Sequence, residues 1–414
     1  MKILVSAIAC SPLRGSEGAV GWTVVNALAR FHEVWVMTHE ESRPEVESWL
    51  KTHSLPSTLH MEYLGKIGTY SENPMVNRFQ CWRTNFDWHS QVLELARLLH
   101  YRHPFDLVHH VTCATWRVAS PFWQLGIPVV WGPLGGGERF PVRFAGMLSK
   151  QALVFEMIRG LSNRFSAWSP SIRRSARNVA ACIAANQETW DLLRSLRGTD
   201  AGMTSLLQVF FPEDKIRKFA ALIPHKDFTG PLRIFAGGNL EARKGVALAL
   251  RALARIRDVS LIYTLGGGGP EKSHLQKLAG DLGLANRVLF TDGFKGDAYL
   301  EELRKTHVYL LPSLRDSAGI TLMEAMLAGC VPIVADCGGP HDIVTNDSGV
   351  RIPVTTPETM AEAIAQAIVA LNENRHRLKD CSEAAHRRIA QAYSETAYLQ
   401  TLESVYSRVL SGRR

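Results

Sequence analysis

The chain of 414 residues has no C-x-x-C pair, no D-x-D triplet and no low-complexity tract. Its seven cysteines are odd in number and scattered, which excludes a disulfide framework and a zinc knuckle and fits buried thiols in a reducing compartment. Long hydrophobic runs are missing too. Leu248 to Ala254 is among the longest and is broken by Arg251, far short of the ~20 apolar residues that cross a bilayer. No helix-turn-helix, zinc-finger or RRM pattern is present, so nucleic acid is not an expected partner. Acids are scarce in one place: Arg139 to Arg177 carries eight basic residues against the single acid Glu156.

What remains is ordinary globular composition, 46% hydrophobic and 21% charged, at a length suited to two domains. Met1-Lys2 followed by Ile3-Leu4-Val5 imitates a short export signal, but a buried first strand, Lys2 to Ala9, accounts for the same letters. That reading expects a cytoplasmic protein, peripheral at the inner face of the membrane if the basic stretch from 139 to 177 meets anionic lipid.

Strands alternate with helices along the first half. The pattern gives strands at Lys2–Ala9, Glu33–Thr38, Leu107–Val111, Pro128–Trp131 and Val179–Ala184, with a helix within Ser16–Phe31. It restarts at Leu232–Ala236 and continues through Val259–Leu265, Val288–Thr291, Val308–Pro312 and Val331–Ala335. Helices are expected at Val246–Ile256, Lys272–Leu282 and Thr321–Ala328. Such alternation implies two parallel sheets with helical crossovers. Pro224 to Pro231 is the expected linker, and a second break near Tyr393-Ser394 sets off a terminal helix. The expected division is 1–224, 225–395 and 396–414.

Ligands of such folds bind at the carboxyl ends of the strands, so motifs there carry the chemistry. Pro312 to Gly329 reads as strand end, loop and helix, with Gly319, Ile320 and Thr321 opening the helix. Helix-start amides suit a diphosphate. Asp316 and Glu324, eight apart, are acceptors that suit paired sugar hydroxyls. Upstream, Gly238-Asn239-Leu240-Glu241-Ala242-Arg243-Lys244-Gly245 follows the first strand of the second series. Gly15 and Gly18 follow the first strand of the chain, where glycine allows close backbone approach, but their G-x-x-G-x-x-G spacing is not that of a dinucleotide dehydrogenase. Gly266 to Ser273 is not a phosphate-binding P-loop, because Glu271 stands where that motif needs glycine. The aromatics Phe79, Trp82 and Phe86 suit a sugar, a lipid or a core equally.

The Pro312–Gly329 block resembles the E-x7-E region of retaining glycosyltransferases of family 4 (group 1), whose fold is GT-B. Asp316 takes the first acid's place and Glu324 the second's. The 238–245 block is similar to that family's G-R-L-x-x-x-K-G segment, with Lys244 matching the lysine and Asn239 or Gly238 in place of the arginine. Leu265 to Glu271 resembles its G-x-G-P-E turn, and Gly338-Gly339 its late glycine turn. Asp106 to His110 resembles its D-x-V-H-x-H strand end, with His110 standing in for the second histidine.

The resemblance implies an α/β GT-B chain: two Rossmann-like, doubly wound domains facing a central cleft, with the C-terminal helix crossing back to the first. It implies transfer of a sugar from a nucleotide-diphosphate sugar to a glycan or lipid-linked acceptor, with retention and without cofactor or essential metal. Lys244, with Arg243 supplying the missing arginine charge, would stabilise the leaving diphosphate. Glu324 would hold ribose, Asp316 would orient the sugar, and His110 would lie beside it. Gly15, Gly18, Gly238, Asn239, Gly319, Ile320 and Thr321 would line the donor. Two rivals stay open: a nucleotide-sugar epimerase on a similar fold, and a non-catalytic subunit of a polysaccharide assembly complex.

Overall fold

The computed structural model describes residues 1–15, 17–65, 88–89 and 91–412. Phe79, Trp82 and Phe86 therefore lie outside the described residues. The chain forms two compact units, one of Met1–Gly137, Asn163–Gln208 and Tyr398–Arg414, the other of Glu138–Ser162 and Val209–Ala397.

The first unit holds a seven-stranded sheet. Its strands are β1 (Lys2–Ala7), β2 (Glu33–His39), β3 (Leu59–Leu64), β4 (Leu107–Thr112), β5 (Val129–Leu134), β6 (Ala181–Ala184) and β7 (Met203–Ser205). They run in the order β3-β2-β1-β4-β5-β6-β7, every pair parallel. Parallel sheets are covered on both faces, so their strands read as continuous apolar runs. β1, β4, β5 and β6 fit this, buried along nearly their whole length. The terminal helix Glu395–Ser411 completes this unit from Tyr398 onward: Tyr406 meets His109 of β4 at 2.7 Å, and Arg408 donates to Thr204 of β7 at 3.2 Å.

The second unit repeats the plan with six strands: β8 (Leu232–Gly237), β9 (Leu261–Gly266), β10 (Val288–Thr291), β11 (Val308–Leu311), β12 (Val331–Ala335) and β13 (Val350–Ile352). Their order is β10-β9-β8-β11-β12-β13, again all parallel. Both orders reverse direction beside the first strand of their unit, which is where open α/β sheets gather ligand-binding loops.

Three segments depart from the sequence expectation. Pro224–Pro231 is not a free connector. Lys226 is buried within the second unit, and its ammonium donates to the carbonyls of Leu303 (2.7 Å) and Thr306 (2.5 Å) and reaches Cys330 Sγ at 3.5 Å. Burial lowers its pKa, and these three acceptors replace the water it has lost. The longer segment of the second unit begins at Val209, and the expected break near Tyr393-Ser394 is tied to Phe211, whose N–H donates to Tyr393 O and whose carbonyl accepts from Glu395 N.

The third departure is Glu138–Ser162, which lies between β5 and β6 in sequence but packs as part of the second unit. Phe144 is fully buried in that unit's core with Leu240, Val246 and Leu314, and Phe140 and Met147 pack beside it. The helix Lys150–Trp168 follows; it is one element, counted with the second unit through Ser162 and with the first from Asn163.

Candidate functional site

β8 and β11 are neighbours, and the loops at their carboxyl ends meet. After β8 the chain turns through Gly238 and Asn239 into a single 3-10 turn, Ala242–Lys244, then Gly245 and the helix Val246–Leu253. Gly245 has φ +68°, and a Cβ there would lie 2.1 Å from the Pro312 carbonyl oxygen. Only glycine allows the Lys244 loop to press so closely on the Pro312 loop. Backbone bonds join the loops as well, with Leu314 N donating to Arg243 O at 2.9 Å.

That approach places Lys244 on Asp316. Its ammonium donates to the Asp316 carboxylate, and both side chains are mostly buried. An ammonium has three donors, so the pair leaves two for another anion. The Asp316 loop is held from behind by the Gly338-Gly339 turn. Gly339 N donates to Asp316 O at 2.8 Å, and a Cβ on Gly338, whose φ is +58°, would come 2.4 Å from the same oxygen.

Beyond Asp316, Gly319 adopts a left-handed conformation and starts the helix Ile320–Leu327 without any side-chain cap. The first amides of this helix therefore keep their unpaired N–H groups for a ligand. Thr321 is fixed by the Tyr309 hydroxyl at 2.8 Å, and that hydroxyl also reaches Gly237 O at 3.3 Å. Ile320 is exposed at the helix start.

Glu324, one turn further on, is more heavily engaged than its motif suggests. Lys215 Nζ donates to Oε1 at 2.8 Å, and the Tyr299 hydroxyl donates to Oε2 at 3.1 Å. Burial, and then the Glu324 charge, push the Tyr299 hydroxyl well above its ordinary pKa, which keeps it a donor. A carboxylate has about four acceptor positions, so Glu324 retains room for two hydroxyls. Lys215 itself stands over the rings of Phe211 (5.1 Å) and Phe219 (5.8 Å). Neither Lys215 nor Tyr299 was expected from the sequence. Lys215 is 109 residues from Glu324 and in a different helix, so no local motif could reveal the pair.

Arg243 is engaged within the two loops. Its Nε donates to Glu241 at 2.6 Å and one terminal nitrogen donates to Arg315 O at 2.9 Å, so the guanidinium braces the two loops. Asn239, in the position of the motif's arginine, is exposed and donates to Glu241 at 2.7 Å. Arg315 turns away from Asp316 toward Glu156, which it binds at 2.7 Å with both side chains mostly buried.

In the first unit, Gly15 is exposed in the loop after β1, while Gly18 is buried and its carbonyl accepts from Ser11 N at 3.1 Å. His110 does not sit at an open strand end. It is 1% exposed, edge-on against Phe122 and near His89. Burial drives its pKa well below the usual histidine value, so the ring is neutral. Its neighbour His109 is fully bonded, to Tyr406 Oη at 2.7 Å and Gly132 O at 2.8 Å.

Among the described residues no group of three or more His, Cys, Asp or Glu side chains could hold a metal ion, and no helix is long and apolar enough to cross a membrane.

Residues 223–388, which contain Lys244, Asp316, Ile320 and Glu324, match the family model of the glycosyl transferases group 1. An uncharacterised glycosyltransferase of Methanocaldococcus jannaschii is 26% identical over 133 residues, covering 32% of this chain and 34% of its own. A GDP-mannose-dependent phosphatidylinositol monomannoside mannosyltransferase of Mycolicibacterium smegmatis is 24% identical over 292 residues, covering 64% of this chain and 74% of its own. Several other curated relatives are matched over only about a third of their length. The crystal structure of Anabaena HepE in complex with UDP superposes with a TM-score of 0.61 at 17% identity, over 98% of this chain and 100% of that one. This last likeness is one of fold: two Rossmann-like parallel-sheet units of the GT-B type.

Proposed function

We propose that this chain is a retaining glycosyltransferase that moves a hexosyl unit from a nucleotide-diphosphate sugar to a glycan precursor or lipid-linked acceptor. The observation that carries the reading is the convergence of Lys244, Asp316, Glu324 and the uncapped helix start at Ile320 on the adjoining ends of β8 and β11. The group 1 family match over the same residues supports it.

In this reading the diphosphate lies against the amides of Ile320 and Thr321, with the two remaining donors of Lys244 on its oxygens. Glu324 accepts the two ribose hydroxyls, held in place by Lys215 and Tyr299. Asp316 accepts from a sugar hydroxyl. The bond between the anomeric carbon and the phosphate oxygen breaks and its electron pair stays with the phosphate. The acceptor hydroxyl adds on the same face, and its proton passes to the departing phosphate oxygen. Charge grows on the diphosphate as the bond breaks, so a fixed cation favours the transition state over the bound donor. No step in this account needs a divalent ion.

The test is a thermal-shift screen of UDP, GDP, ADP and their sugars, followed by product analysis with and without acceptor. A matching nucleotide at 100 times its Kd should stabilise the protein by roughly 2.7 kcal/mol. Conversion of the donor sugar to an isomer without any acceptor would instead identify an epimerase. Nucleotide binding with no turnover on any acceptor pool would favour a non-catalytic subunit.

A further inference from the structure

The helix Lys150–Trp168 has no buried residue, yet it is not polar. Val154, Met157, Ile158, Leu161, Phe165 and Trp168 are all exposed, from 52% to 74%. At 3.6 residues per turn these six positions fall within an arc of about 100°. The opposite side is anchored. Glu156 binds Arg315 at 2.7 Å and Arg159 binds Glu138 at 3.4 Å, with all four side chains nearly buried. One face is thus fixed to the protein and the other, the apolar one, is open.

We propose that this open face is a docking surface for an anionic lipid bilayer, on which the helix lies parallel to the membrane plane. Charge selects this occupant. Lys150 lies within the apolar arc, Arg164 borders it, and both are exposed, as are Arg143 and Arg174 before and after the helix in sequence. The only acid in the whole stretch from 139 to 177 is Glu156, and it is turned inward and neutralised by Arg315. Within the stretch from 139 to 177 the surface offered to solvent is therefore apolar with cationic and no anionic neighbours, the combination that partitions into an anionic interface. Phe165 and Trp168 close one end of the stripe with rings suited to the headgroup level. The proposal extends the reading of a lipid-linked acceptor by naming the surface that would meet it; its failure leaves the donor chemistry untouched.

The test uses the full chain and two vesicle preparations, phosphatidylcholine alone and phosphatidylcholine with phosphatidylglycerol, in a sedimentation assay at low and high salt. The wild type should bind the anionic vesicles, weaken with salt and ignore the neutral ones. Leu161→Glu combined with Phe165→Glu should lower the partition coefficient at least about tenfold. Lys150→Gln combined with Arg164→Gln should reduce binding and flatten its salt dependence. All four positions are exposed, and an unchanged circular dichroism melt and unchanged nucleotide thermal shift would show the fold and donor site intact. Wild-type protein remaining in the supernatant with both vesicle types would overturn the proposal, as would a Leu161→Glu, Phe165→Glu variant that binds as well as wild type. So would light scattering that shows a wild-type dimer dispersed by those same two changes, since the face would then belong to a second copy.

Discussion

Lys244 donates its ammonium to the carboxylate of Asp316, 72 residues further along the chain, and so joins the loop after β8 to the loop after β11. The pair gives the site a preformed cation whose charge is partly spent before any ligand arrives. In the proposed reading a diphosphate has to share Lys244 with Asp316.

Asp316→Asn should therefore have opposite effects on binding and turnover. Freed from its partner, Lys244 should bind the selected nucleoside diphosphate about two- to fivefold tighter, the equivalent of about 0.5–1 kcal/mol released from a partly exposed pair. Transfer should nevertheless slow, because the sugar loses an acceptor. Lys244→Ala should cost about 2.7–4 kcal/mol in kcat/KM if it acts as a single electrostatic donor. Calorimetry and steady-state rates on the two variants check this; tighter binding in Lys244→Ala would contradict the assignment.

Glu324 is held by Lys215 and Tyr299, so three substitutions should grade its effect. Glu324→Ala should abolish measurable nucleotide binding. Lys215→Met should weaken it less, through an acceptor that is no longer held in place. Tyr299→Phe should weaken it least, by the roughly 0.5–1.5 kcal/mol of one hydrogen bond. Titration of the nucleotide into each variant gives the order, and an unaffected Lys215→Met would show that the ion pair does not position the acid.

Gly245→Ala should destabilise the second unit by more than the ~1–3 kcal/mol of a left-handed non-glycine residue, because its new Cβ also meets the Pro312 carbonyl. The urea midpoint should fall with an unchanged m-value. Ala247→Gly, two residues on and inside the helix that Gly245 precedes, gives the scale of a backbone change without the clash, about 1 kcal/mol.

Acid should weaken the first unit through His109. Burial holds its pKa down to about 4, against about 6.5 in an unfolded chain. A carbonyl only accepts, so Nε2 carries the proton toward Gly132 O and Nδ1 accepts from Tyr406. The unfolded state then binds more protons between pH 6.5 and 4, so this contribution is complete above pH 6.5 and is lost as pH falls toward 4. Its size is about 3 kcal/mol. Unfolding midpoints measured from pH 7.5 to 4.5 should drop less steeply in His109→Gln than in wild type.

Turnover should survive EDTA. Lys244 and the helix amides already provide the charge that a divalent ion would bring, and no D-x-D triplet occurs in the chain. A complete loss of rate, restored by magnesium, would replace this account of the site.

The strands, and the residues that follow them, were largely legible because a parallel sheet writes its strands as apolar runs and its ligand loops as glycine turns. β8, β9, β11 and β12 fall within a residue or two of their expected ends. β3, β7 and β13 were missed: β7 and β13 are three residues long, and β3, with His60, Glu62 and Tyr63, is not an apolar run. Asp316 and Lys244 could be found from local motifs, but their partnership needs the close approach at Gly245. The contacts of Arg243 with Glu241 and the Arg315 carbonyl could not be read from spacing. His110 looked like an open strand end because its burial depends on Phe122, twelve residues on.

Phe144 and its neighbours carry a consequence for anyone who recombines the two units of this chain. A splice at residue 224 would leave Phe144 behind and open a hole in the centre of the transplanted unit, and would strip Arg315 of Glu156. The stretch matched by the family model, 223–388, is therefore not the piece that should travel alone. Chimeras that exchange the second unit should carry residues 138–162 with it, even though those residues are encoded in the middle of the first.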